Sequence, residues 1–219
     1  MVEAAFPQLC ILGASAVLLA AIIPLWRRHV PAYIVAFQWQ SFALAFVTAL
    51  VGYMAHIREL YIVAALIVAI RGMLFVRLLR KLQARVGEIT ELKPLVNIPT
   101  SLLIAATLVV IAYAATRPAV LVASSPTRGA MPLAIAVILV SMFTVASRKT
   151  AIGQVIGFLM LENGIALLSA VASYGVPLTV ELGLFLDALL GFLVMQILVF
   201  HIHDAFDTTD VEQLSRLKH

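Results

Sequence analysis

Apolar runs long enough to cross a bilayer follow one another almost without interruption along this chain, and that succession constrains its fold most. A spanning helix needs roughly 20 apolar residues. Seven segments qualify: 4–26, 32–55, 60–82, 98–116, 130–147, 151–174 and 178–202. Hydrophobic residues are 63% of the 219 and charged residues 12%, against about 25% charged in a soluble domain. No water-soluble core accommodates that much apolar surface. The predicted fold class is all-α, a polytopic helical membrane protein of about seven transmembrane helices. It divides into a four-helix region (1–120), a three-helix region (121–204) and a short charged tail (205–219).

The net charge of +4 would suit nucleic acid, but the basic residues sit in short connections between spans, where they act as topology signals. Arg27, Arg28, Arg77, Arg80, Lys81, Arg85, Lys93, Arg148, Lys149, Arg216 and Lys218 fall on one side; Arg58, Arg117 and Arg128 fall on the other. Eleven against three predicts the first side as cytoplasmic, with the N-terminus outside and the C-terminus inside. The opening MVEAAF has Glu3 and no positive region ahead of the apolar run, so the first run reads as a retained span and not a cleaved signal. Pro118, Pro126 and Pro132, with Ser124, Ser125 and Gly129, predict a loop after the fourth span. Ser147 to Thr150 predicts a tight hairpin between the fifth and sixth.

Cys10 is the only cysteine, which excludes internal disulfides and Cys-ligated metal clusters. No phosphate-binding or nucleotide fingerprint occurs, so no cofactor and no soluble catalytic module are expected.

Three charges fall inside apolar runs, where ionisable groups are costly and mark ion or proton paths by default. Glu162 lies in IGFLMLENGIALL, Asp187 in ELGLFLDALLGFLVM, and Arg71 in the third run. At 1.5 Å per residue all three come roughly 13–16 Å from the membrane face they enter, near the midplane. Low dielectric favours the neutral carboxyl and a nearby guanidinium favours the carboxylate, so an acid poised between them can take up and release a proton. The competing reading is a static latch in which Arg71 is the counter-ion that fixes helix packing.

Glu181, one turn into the last run, is an entry residue or an interfacial acid. His201 and His203 end that run, and their i, i+2 spacing puts them on different helix faces, which argues against a metal pair. Gln40, Asn163 and Gln154 hold water or bridge helices, and Gly157, Gly164 and Gly191 allow close helix contact. Spans one to three and five to seven also echo each other weakly, with Gln40-Ser41 standing where Glu162-Asn163 stands.

The strings FLMLENG (158–164), VELGLFLDALLGFLVM (180–195) and TDVEQLSRLK (209–218) resemble the hydrogenase-4 component E family of group 4 nickel-iron hydrogenase and formate hydrogenlyase-type complexes. The last three spans are also similar to the K-type subunit of respiratory complex I and the C-type subunit of multisubunit cation/proton antiporters. Aligned through Arg148, Gly157 and Asn163, the first glutamate of the complex I subunit falls on Leu159, one turn from Glu162 on the same face. The second falls on Asp187.

The resemblance implies a non-catalytic, multi-pass subunit of a prokaryotic cytoplasmic membrane. Its partners would be large antiporter-like membrane subunits and a hydrophilic redox arm, which would hold the metals. Glu162 and Asp187 would carry proton (or sodium) transfer, with Arg71, Gln40, Asn163, Glu181, His201 and His203 as a supporting polar axis. An antiporter subunit without redox chemistry is the alternative.

Overall fold

The computed structural model describes residues 2–86, 95–122 and 125–172. Within them every extended element is a helix: α1 (Val2–Trp26), α2 (Val30–Ala55), α3 (Glu59–Leu66), a π segment (Ile67–Phe75), α4 (Val76–Val86), α5 (Ile98–Val122), α6 (Met131–Ser147) and α7 (Ala151–Ala172). A short 3₁₀ turn, Arg128–Ala130, leads into α6. Helix α3, the π segment and α4 run on as one rod, so these elements make six helices long and apolar enough to cross a membrane. They coincide with the first six expected spans. The seventh run, 178–202, lies outside the described residues together with Glu181, Asp187, Gly191, His201 and His203.

Local chemistry sets the ends. Pro31 occupies the first turn of α2, where a missing N–H costs nothing. His56 closes that helix in the left-handed region, at φ 55°, and the Ile57 N–H returns to the Gly52 carbonyl at 3.1 Å, a C-terminal closure usually given to glycine. Asn97 caps α5, its Oδ1 accepting the Thr100 N–H at 3.0 Å.

One expectation about ends fails. Pro118 and Arg117 were placed at or beyond the end of the fourth span, yet α5 continues through both to Val122. The preceding turn supplies enough backbone bonds for a helix in an apolar setting to carry a proline near its end.

Packing follows the small residues. Helix α2 is central, touching α1, α3, the π segment, α4 and α7, while α6 lies between α5 and α7 and also meets α1. The α6–α7 hairpin is closest at Gly157 and Gly164, as expected. A Cβ on Gly164 would come 3.1 Å from the Ile138 backbone nitrogen, and one on Gly157 would come 3.1 Å from that of Val145. Large aliphatic and aromatic residues such as Leu19, Trp39, Leu103 and Val110 turn outward. That arrangement suits lipid, where burying apolar surface gives no driving force and contact between small residues does.

Candidate functional site

At the middle of the bundle, three helices contribute polar groups to one buried node. Gln40 and Ser41 come from α2, Arg71 from the π segment, and Glu162 and Asn163 from α7. Counted at 1.5 Å per residue from the end that carries Arg27, Arg28, Arg80, Lys81, Arg148 and Lys149, Gln40 lies roughly 15 Å in and Glu162 roughly 16 Å. Arg71 lies roughly 20 Å from the same end of its rod. The three levels match, which is the depth relation the sequence implies for Arg71 and Glu162.

Asn163 is the hub, with no exposed surface. Its Oδ1 accepts Arg71 Nη1–H at 2.8 Å, and its Nδ2 donates to Gln40 Oε1 at 3.0 Å and to Ser41 Oγ at 3.1 Å. The guanidinium is donor-only, so Oδ1 must face Arg71, and that fixes Nδ2 toward α2. Ser41 Oγ–H in turn donates to the Phe37 carbonyl at 2.9 Å. One amide thus joins three helices through every polar atom it has.

Arg71 Nη2 and Glu162 Oε2 are 3.7 Å apart. That is ion-pair reach, but longer than a charge-assisted hydrogen bond of about 2.8 Å. Arg71 is 1% exposed and Glu162 13%, so the cation is sealed inside while the carboxylate sits at the node's rim. Gln40 Nε2 is buried with no hydrogen-bond partner among the described residues, leaving a donor open for water or another acceptor.

The π segment is the structural context of Arg71. Such segments are rare and usually one turn long, and they recur at functional sites; this one spans nine residues. It lies tightly on α2. A Cβ on Gly72 would come 2.7 Å from Phe42 Cε1, and Gln38 Nε2 donates to the Gly72 carbonyl at 3.1 Å. Gln38 Oε1 accepts from Arg80 at 3.4 Å, so Gln38 ties α2 to the rod on a different face from Gln40.

Two further polar residues belong to the α6–α7 turn. Gln154 does not bridge spans; its Nε2 donates to the Arg148 carbonyl at 2.9 Å, closing the α6–α7 turn locally. Arg148, in the same turn, is fully buried. Its Nη2 donates to the Pro24 carbonyl at 2.8 Å, and its guanidinium stacks on the Tyr33 ring at 5.5 Å. The Tyr33 hydroxyl donates to the same carbonyl at 2.7 Å. Carbonyls in the last turn of a helix have no intrahelical partner, and the negative end of α1 favours a cation there. Burial pulls the Arg148 guanidinium below its ordinary value, with the Tyr33 phenol acting in the opposite sense.

The expected site residues therefore divide in two. Glu162, Arg71, Gln40 and Asn163 meet in one node; Asp187, Glu181, His201 and His203 lie outside the described residues. Ser41 and Gln38 were not singled out as site residues, although the run Gln38-Trp39-Gln40-Ser41 puts three polar residues in four at mid-span, a readable signal. The π segment had no such signal.

A bundle of this kind, apolar outside and pinned inside by one charged and amide node, defines an integral helical membrane protein. Comparison with known proteins narrows it. Uncharacterized protein Rv0085 of Mycobacterium tuberculosis (strain ATCC 25618 / H37Rv) is 36% identical over 219 residues, covering the whole of both chains, and the chain belongs to that protein's family. Hydrogenase-4 component E of Escherichia coli (strain K12) and of Shigella flexneri are each 28% identical over 116 residues, 53% of this chain and 54% of theirs. The chain thus matches about half the length of those relatives. No family model and no solved structure matches.

Proposed function

We propose that this chain is a non-catalytic membrane subunit of a hydrogenase-type oxidoreductase complex, contributing to a redox-linked proton or sodium path through intramembrane carboxylates. The observation that carries this reading is the mid-bundle node, in which a rim carboxylate (Glu162) faces a sealed guanidinium (Arg71) held by Asn163. Burying such a group is costly in a membrane, and its usual use there is charge movement. The partial likeness to hydrogenase-4 component E supports the kind of complex. In this reading residues 178–202 form a seventh span that brings Asp187 to the same level. The basic end faces the cytoplasm of a prokaryotic cell, and antiporter-like subunits and a redox arm are the partners.

The test is Glu162→Gln and Asp187→Asn in the intact complex, with proton or sodium uptake measured against electron transfer. Ion movement per electron should fall roughly tenfold or more, the scale of a lost proton-transfer group, while assembly on native gels stays unchanged. Full coupling in both variants would refute the relay and leave only a packing role.

A further inference from the structure

Helix α5 carries a groove that the node does not involve. Among the six long helices of the described residues it is the least covered, 17% buried against 44–61% for the others. Toward its end opposite the basic face, α5 and the start of α6 enclose a groove of about 500 Å³, within the range of about 300–1,000 Å³ common to ligand sites. Val110, Tyr113, Ala114, Arg117 and Leu121 supply one wall, and Pro132 closes the other side. The wall residues follow the i, i+3, i+4, i+7 stripe of a single helix face.

Arg117 is the only charge among the described lining residues, and its side chain makes no hydrogen bond or ion pair among the described residues. It lies nineteen positions after Ile98, roughly 28 Å along the axis, and so close to one membrane interface. An apolar trough ending in the Arg117 guanidinium at headgroup depth matches an acyl chain with a phosphate above it. Leu103, Val110, Tyr113 and Leu121 project outward along this face, and the exposed Ala114 between them opens the trough.

We infer that this groove holds one anionic phospholipid, its acyl chain along Ala114 and its phosphate on Arg117. The probe is phosphatidylglycerol added to the delipidated full-length chain in detergent, with native mass spectrometry as the readout and phosphatidylcholine as comparator. Wild type should retain one phosphatidylglycerol. Arg117→Gln should bind it about tenfold more weakly, the loss of one charge-assisted contact, and Ala114→Leu, which fills the trough from an exposed position, should bind it more weakly still. Phosphatidylcholine should change less across the three. Equal retention by all three proteins, or binding of several lipids without saturation, would mean ordinary annular lipid and overturn the site. A dimer that Ala114→Leu dissolves would overturn it too, because a second copy would then be the occupant.

Discussion

Replacing Asn163 with leucine is the most direct probe of the node, since it keeps the branching at Cγ and deletes every polar contact of the hub. Three hydrogen bonds disappear: Arg71 at 2.8 Å, Gln40 at 3.0 Å and Ser41 at 3.1 Å. Bonds between neutral groups across membrane helices average about 0.6 kcal/mol, and one to a charged group is worth about 1.5–3 kcal/mol. The sum predicts a loss of about 3–4 kcal/mol. Most of it comes from leaving a sealed guanidinium without its amide acceptor. Asn163→Asp should cost less, because it preserves an acceptor for Arg71 while losing the donors to α2. The assay is reversible unfolding of the purified chain by increasing SDS fraction, followed by far-ultraviolet circular dichroism. The decisive comparison is Arg71→Met combined with Asn163→Leu. If the penalty is the guanidinium's lost amide acceptor, the double variant should be clearly less destabilised than the sum of its parts. Additive effects, or a cost below about 0.5 kcal/mol for Asn163→Leu alone, within the range of an ordinary surface change, would refute the claim that Asn163 holds Arg71 in place.

Two further outcomes follow from packing. Gly164→Ala should cost about 1–3 kcal/mol in the same unfolding assay, as overpacking does, because its Cβ would meet Val137 Cγ1 at 2.9 Å and the Ile138 backbone at 3.1 Å; an unchanged midpoint would mean the hairpin has slack there. Trp39 and Trp26 are 65% and 51% exposed, so brominated acyl chains should quench both. Deep bromines should be more effective on Trp39, mid-span, and shallow bromines on Trp26, at a helix end; single-tryptophan variants separate the two signals.

Much of the architecture is legible without coordinates. Spans one to three, five and six were readable to within a few residues because apolar length is a requirement of the bilayer and not of any particular neighbour. Where the reading slipped, at Pro118, a local breaker rule was applied to a helix whose surroundings offer the backbone no better partner than itself. Glu162, Arg71, Gln40 and Asn163 stood out because polar groups among apolar residues are conspicuous at any register. The burial of Arg148 had no such signal, since a basic residue in a short turn gives no sign of its neighbours, and only the arrival of the α1 terminus and Tyr33 buries it.

The chain's own letters determined that it forms apolar helices of bilayer length, most of their ends, and which few residues sit badly in hydrocarbon. These are one-dimensional properties, set by the transfer of each side chain and by backbone bonds that close within one segment. The tertiary structure alone decided that Asn163 is the hub, that Arg71 is sealed while Glu162 stands at the rim, and that a π segment carries the cation. Those outcomes depend on helix rotation and close approach between α2, the rod and α7. Residues such as Arg71 and Asn163, 92 positions apart, acquire their meaning from that contact.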